Sequence, residues 1–312
     1  MISMPNANQP EGAPDITVAL PNYNGAELLR NNIPILFRAL KKAELSAEVL
    51  VIDDASADDS SAVVASLTAE YPKLRFLAQP VNKGFAETCN KGIEAARAPL
   101  LCLVNTDVQF EESYFVHAVQ PILSGEADVT KGVIHNYSTD PAQPHYIDTQ
   151  TRVSLRRGMA RAEPQEKKHR GASVLIAKLG CCFVARTDVL RQIGGFDARY
   201  SPYYWEDVEL GWQVLKRGFR LVYVEQAKIF HQENSTIGKL SPERKKQVSR
   251  VRARNRLLFT WTLLRDGGLG RWLVYGLWEF WRLVSRGLRG DFVYHLAFAD
   301  AVKRRRLSRE AS

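Results

Sequence analysis

Three polar clusters in the first third of the chain combine acidic and amide side chains: Pro21-Asn22-Tyr23-Asn24, Asp53-Asp54 and Asn105-Thr106-Asp107. Adjacent carboxylates at the carboxyl edge of a sheet can accept hydrogen bonds from a base or ribose, or hold a divalent cation. Asp-Asp also caps ordinary turns, but turn capping alone must then account for three such clusters in succession. Asn82-Lys83-Gly84-Phe85, followed by Asn90, adds a glycine that permits close backbone approach and a lysine at a helix start, where phosphate binds well. The same NKG makes a plain turn, and no GxGxxG dinucleotide fingerprint is present. Further on, Tyr203-Tyr204-Trp205-Glu206-Asp207-Val208-Glu209 sets three carboxylates within four residues beside aromatics. A helix beginning near Trp205 places Asp207 in its first turn, which favours the anion and suits a general base. His231 offers a neutral imidazole that would complete a divalent-metal site begun by Asp107; a structural histidine is the other reading.

The elements that must position these residues read as an α/β pattern. Strands are predicted at Ile16–Leu20, Glu48–Ile52, Leu74–Ala78 and Leu100–Val104, alternating with helices at Ala26–Leu40, Asp59–Tyr71 and Phe85–Ala96. Polar residues at each strand's carboxyl end predict a doubly wound sheet with its ligand above those ends. An apolar run at Val129–Ile134 precedes a long polar stretch, His135 to Gly171, expected to be a functional loop or a solvated insertion. Its Arg152, Arg156, Arg157, Arg161, Lys167, Lys168 and Arg170 suit a phosphate. CCFVA ends the next apolar run as a strand, Thr187–Ile193 is a short helix, a helix ends at Lys216, and Arg220–Val224 is a strand that His231 follows.

Charge divides the chain unevenly. Residues 244–312 hold 17 Lys+Arg against 5 Asp+Glu and four of the six tryptophans, whereas residues 1–243 hold 26 against 29. A slightly acidic body argues against a general nucleic-acid binder. The interleaved arginines and aromatics of the tail, closing on Lys303–Arg306, predict amphipathic helices on an anionic membrane surface. The alternatives are packing onto the body or an oligomer interface. No stretch reaches the ~18 apolar residues of a membrane span. The first residues lack the basic and apolar regions of a signal peptide, and four cysteines without CxxC spacing suggest a reducing cytoplasm. The expected division is a flexible tail over 1–14, a sheet domain over 15–240 and a helical membrane-associating region over 241–312.

Taken together, VALPNYN, VLVIDDAS, NKGFAETCNKGI, LVNTD, GGFDARYSPYYWEDVELGWQVLKRGFRLVYV and the later FH resemble family 2 glycosyltransferases, within them the bacterial rhamnosyltransferase-like enzymes. The match runs collinearly from about Ile16 to His231. The resemblance implies a GT-A fold, with a nucleotide-binding half and an acceptor half. It implies transfer of a sugar, with inversion, from a nucleoside-diphosphate donor to a hydroxyl of a glycan or polyprenyl-linked acceptor in bacterial surface polysaccharide synthesis. The donor favoured is dTDP-rhamnose, with UDP-sugars second, and the place is the inner face of the cytoplasmic membrane. By the same resemblance Pro21, Tyr23 and Asn24 line the nucleotide pocket, and Asp53 takes the imide hydrogen of the base with Asp54 close by. Lys83, Gly84 and Asn90 lie on the base or ribose side. Asn105 replaces the first acid of the family's DxD motif and can hydrogen-bond ribose. Asp107 and His231 hold Mg²⁺ or Mn²⁺, and Asp207 is the general base with Glu206 its neighbour. Two rivals stand: a sugar nucleotidyltransferase, which would want a Gly- and Lys/Arg-rich loop that PNYNG does not supply, and a non-catalytic membrane adaptor on the same fold.

Overall fold

Near-continuous apolar runs become central strands where both faces of a sheet are covered; β1 (Ile16–Asn22) and β2 (Ala47–Asp53) are two such runs, buried along almost their whole length. The computed structural model describes residues 13–138, 145–148, 150–164, 178–233, 241–265 and 268–310. The tail expected over 1–14 falls outside them except for its last two residues. Lys167, Lys168 and Arg170 lie outside as well, as does the side chain of Arg152.

In chain order β1, α1 (Ala26–Lys42), β2, α2 (Ser60–Thr68), β3 (Leu74–Ala78), α3 (Phe85–Ala95) and β4 (Leu100–Val104) form the expected parallel half, ordered β3-β2-β1-β4. There follow β5 (Val108–Phe110), α4 (Tyr114–Leu123), β6 (Val129–Ser138), β7 (Tyr146–Asp148), β8 (Thr151–Arg156) and β9 (Met159–Pro164). Then come β10 (Cys182–Arg186), α5 (Thr187–Ile193), α6 (Glu206–Lys216) and β11 (Leu221–Glu233). The sheet continues from β4 through β10, β6 and β11 to β5, with β7 on β6. This second half is mixed: β10 lies antiparallel to β4 and β6, and β11 parallel to β6 but antiparallel to β5. Alternate strand residues feed two cores. Ile16, Val18, Val49 and Val51 meet Leu29, Ile33 and Phe115 on one face, while Ala19, Leu50 and Ile52 meet Cys89, Leu190 and Leu210 on the other.

Three expectations change. The polar stretch from His135 begins inside β6 and contains β7 and a two-stranded hairpin, β8–β9. Its turn is Arg157-Gly158, with φ of 51° and 72°, the double positive φ of a type I′ hairpin turn. Polar composition hid strands whose burial comes from helices far along the chain. Second, β11 runs through His231 rather than ending before it, because a bulge after Val224 re-registers residues 228–233 onto β6. At that bulge the Ala227 carbonyl comes within 2.2 Å of where a Cβ on residue 132 would stand, so the strand opposite needs Gly132.

Third, the helical tail divides. In α7 (Pro242–Arg265) Leu257, Phe259 and Leu264 are fully buried, sharing a third core with Met159, Tyr200 and Val208. In α8 (Gly268–Leu288) Leu273, Leu277, Phe280 and Trp281 stay more than half exposed. Helix α9 (Phe292–Glu310) returns against α7, where Asp300 pairs with Arg250 at 2.6 Å. Among the described residues, no helix is long and apolar enough to cross a membrane.

Candidate active site

The carboxyl ends of β1, β2 and β4 bring the polar clusters to one edge of the sheet. Pro21 pairs with Ile52 inside β1, while Tyr23 stands out at 55% exposure. Asn24, at φ 53°, donates its backbone N–H to Ser56 Oγ and accepts from the Ala57 N–H at 2.8 Å. Asp53 is buried and accepts from Asn22 Nδ2 at 2.7 Å and from Ser56 through both its hydroxyl and its N–H. Asn24 and Asp53 are thus tied through Ser56, and the three shape one side of the crevice.

Other expected ligands are spent on the protein itself. The Asp54 carboxylate accepts the backbone N–H groups of Lys83 and Gly84 at 2.7 and 2.8 Å, plus Gln79 Nε2. It holds the Asn-Lys-Gly loop against the strand ends, leaving the Lys83 side chain exposed and Gly84 buried. Asn90 makes a two-way bond with the backbone of Phe196, at 2.7 and 2.8 Å. It fastens α3 to the Gly-Gly-Phe-Asp segment, so its amide faces the protein and not the crevice.

Asp107 and His231 meet. Their Oδ1 and Nε2 lie 3.4 Å apart, because β11 pairs His231 with Val108 of β5, and Gln232 donates to the Asp107 carbonyl. On its other side His231 Nδ1 lies 2.8 Å from Asn136 Oδ1. An amide oxygen can only accept, so Nδ1 carries the hydrogen, and Nε2 is the ring nitrogen turned toward Asp107. One carboxylate and one imidazole suit Mg²⁺ or Mn²⁺ as a partial donor set. No group of three or more His, Cys, Asp or Glu able to hold a metal occurs among the described residues. The fit is therefore to an ion shared with an anionic ligand's oxygens.

Glu206 and Asp207 open α6, preceded by Tyr204 and Trp205 at φ 73° and 74°. Glu206 is buried, and its Oε2 has no hydrogen-bond partner among the described residues. Burial first, then the neighbouring Asp207, push its pKa up to about 8, which favours the protonated acid at neutral pH. Asp207 is only half-buried and accepts the Gly180 N–H at 3.1 Å. The next residue, Cys181, accepts the Asn105 N–H at 2.9 Å. Two consecutive residues thus join the Asp207 carboxylate to the Asn105–Asp107 loop.

A carboxyl with a raised folded pKa contributes stability that is complete below its unfolded value, near 4.5, and is lost as pH climbs through about 8. Each unit carries about 1.4 kcal/mol. Glu206→Gln, which mimics the neutral acid, is expected to flatten the fall of melting temperature between pH 5 and 8.5. Glu209, raised to about 7 chiefly by burial, keeps a residual slope of the same sign. Calorimetric melts across that range check this, and an unaltered slope would show that Glu206 titrates elsewhere.

Residues that sequence reading did not single out complete the site. Asp148 of β7 pairs with Lys131 of β6 at 3.3 Å and with Lys178 at 2.5 Å. Burial lowers the pKa of the fully enclosed Lys131 against the pull of Asp148. Burial also opposes charge on Lys178, but Asp148 and Asp207 outweigh it and hold that lysine above its ordinary value. A lysine inside the apolar run VTKGVI was the available signal, since such residues are rarely enclosed unless paired. Asn255 of α7 had no signal. It is fully buried, and its Nδ2 donates to the carbonyls of Tyr200, Tyr203 and Tyr204. Trp205 lies on Phe259 of the same helix, and Arg252 sits 4.4 Å over the Tyr204 ring. These aromatics pack against α7.

The model of the family described as glycosyl transferase family 2 matches residues 17–194. Glycosyltransferase GlyG of Streptococcus pneumoniae serotype 4 is 27% identical over 134 residues, covering 43% of this chain and 44% of that protein, so the chain spans less than half of that relative. The N-acetylglucosaminyl-diphospho-decaprenol L-rhamnosyltransferase of Mycobacterium tuberculosis is 26% identical over 242 residues, 66% of this chain and 74% of that one. Among solved structures, a mannosyltransferase from Pyrobaculum calidifontis in complex with GDP-Man and Mn²⁺ superposes with a TM-score of 0.57 at 14% identity. It covers 99% of this chain and 79% of that one. GalNAc-T7 with UDP, GalNAc and Mn²⁺ gives 0.60 at 13% identity, over 82% of this chain and 51% of the other. The mixed sheet is of the GT-A kind.

Proposed function

The chain belongs to glycosyl transferase family 2, and from that premise we propose that it is a metal-assisted, inverting glycosyltransferase. It moves a sugar from a nucleoside-diphosphate donor to an acceptor hydroxyl. The observation that carries the reading is the spacing of roles across Gly180 and Cys181. A metal-type pair, Asp107 and His231, lies at one end and a half-exposed carboxylate, Asp207, at the other. A nucleotidyltransferase has no evident use for that second carboxylate on the acceptor side.

In this reading the β1–β2 edge, with Tyr23, Asn24 and Asp53, takes the nucleotide, and the β4 end takes the diphosphate. Asp107 and His231 would hold Mg²⁺ or Mn²⁺, which when bound neutralises charge gathering on the departing diphosphate. Asp207 removes the proton from an acceptor hydroxyl whose oxygen bonds to the anomeric carbon as the carbon–phosphate-oxygen bond breaks on the opposite face. Attack from that face inverts the centre. With Glu206 neutral beside it, Asp207 works without a second buried negative charge. Lys178 and Lys131 compensate the carboxylates behind it.

The relative acting on a decaprenol-linked substrate, together with the apolar outward face of α8, supports a polyprenyl-linked or glycan acceptor of surface polysaccharide synthesis. It also supports a peripheral site of action on the anionic inner face of the cytoplasmic membrane. The rhamnosyl transfer named for that relative supports dTDP-rhamnose as the favoured donor, with UDP-sugars second. A ligand bound only by the folded state raises the melting temperature. A panel of nucleotide sugars with Mn²⁺ is expected to yield at least one clear upward shift. A panel that shifts nothing, with or without the ion, overturns the proposal.

A further inference from the structure

Two adjoining cavities, of about 730 and 500 Å³, lie between the β8–β9 hairpin and helices α7–α9. Met159, Arg161, Arg256, Arg286 and Tyr294 line both. The smaller is walled by six arginines and no acidic residue, with Trp278 and Trp281 at its side. The larger adds Lys245, Lys246 and Arg252, against Glu163 and Asp291. It reaches Trp205, the residue immediately before Glu206 and Asp207.

This positive charge is held in place by structure. Arg256 Nε donates to the Ala160 carbonyl at 2.7 Å, and Arg282 donates to the Arg157 carbonyl at 2.7 Å. At the hairpin turn a Cβ on residue 158 would come within 2.6 Å of the Tyr275 Cα, so Gly158 lets the tip lie directly on α8. The carboxylates nearby offset only part of the charge: Glu279 pairs with Arg282, Asp291 with Arg286 and Glu163 with Arg161. Burial, then Arg161, Arg282 and Arg286, depress the pKa of Arg256, with Tyr294 opposing. A cation cluster that works against its own charge is stabilised by an anion, and guanidinium forks match phosphate oxygens.

The surroundings define the rest of the ligand. From the tryptophans an apolar stripe runs along α8 through Leu273, Leu277, Phe280, Trp281 and Val284, exposed by 67, 63, 60, 58 and 37%. Spacings of three and four residues keep it on one face. We propose that the arginine cavity is the acceptor's phosphate subsite. It binds the diphosphate of a lipid-linked acceptor, with the lipid chain along α8 and the acceptor's sugar directed past Trp205 toward Asp207. This deepens, and rests on, the transfer reading above.

Farnesyl diphosphate, inorganic pyrophosphate, farnesol and phosphatidylglycerol vesicles probe the full chain, read by tryptophan fluorescence. Farnesyl diphosphate is expected to bind saturably and pyrophosphate to compete with it. Farnesol is expected to bind roughly tenfold more weakly, and vesicles, which engage the α8 face, to leave pyrophosphate binding to the cavity unchanged. Arg161→Gln, whose side chain is 44% exposed, and Arg256→Gln are each expected to weaken farnesyl diphosphate roughly ten- to a hundredfold. The exposed position guards against an Arg256 variant that merely loosens the hairpin. Farnesol binding as well as its diphosphate, vesicles displacing pyrophosphate, no farnesyl diphosphate binding, or no loss in the Arg161 variant would each overturn the subsite. Donor hydrolysis by the wild-type chain without acceptor tests the transfer reading separately. A chain that binds farnesyl diphosphate but never turns over a nucleotide sugar sinks that reading and not the cavity.

Discussion

Asp207→Asn is expected to lower kcat for sugar transfer by about 10²–10⁴-fold, the contribution typical of a positioned general base. KM for the donor should change little, since Asp207 stands on α6 and not on the β1–β2 edge proposed to receive the nucleotide. The fold should persist. The amide oxygen of asparagine can still accept the Gly180 N–H that Asp207 accepts now, and its size is unchanged. Initial rates of product formation, with a thermal melt of the same sample, decide the matter. A variant that melts normally and keeps more than a tenth of the rate would place the base on another residue.

Asp107→Ala should be nearly as damaging, through a different quantity. The carboxylate is half of the pair formed with His231, and in the proposed mechanism removing it would leave the imidazole alone to hold a divalent ion. A metal's charge stabilisation is worth several kcal/mol. At about 1.4 kcal/mol per factor of ten, its loss is a fall of about 10²–10³-fold in turnover. Chelation of the wild type should reproduce that loss, and added Mn²⁺ should restore the wild type but not the variant. Titrating Mn²⁺ against donor hydrolysis, in water alone, measures this without any knowledge of the acceptor. Equal metal response in variant and wild type would remove Asp107 from the metal.

The parallel half of the fold was legible because its determinants are local. β1 and β2 are runs of buried Val, Ile and Leu, and α1 shows Leu29, Ile33, Leu36 and Leu40 at helical spacing. Asp107, His231 and Asp207 were legible as types at strand ends and a helix start. What brings them together was not. The pairing of His231 with Val108 depends on a bulge 120 residues later in the chain than the β5 loop; its residues carry no mark of it. The β8–β9 hairpin read as solvated loop because its partners, Thr260, Arg256 and Tyr275, lie about a hundred residues onward. Asp54 and Asn90 have the chemistry of ligands, and only the directions of their hydrogen bonds show that they brace loops.

The three tyrosine carbonyls gathered by Asn255 bear on how the chain can be divided. The peptide that leads into Glu206 and Asp207, with two non-glycine residues at positive φ, is held from outside its own element, by one amide on α7 and by Phe259 beside it. A truncation before residue 242 therefore leaves the start of α6, with Glu206 and Asp207, without its mounting. Helix α7 belongs with the sheet domain, and α9, which packs back on it through Arg250 and Asp300, goes with α7 in any chimera.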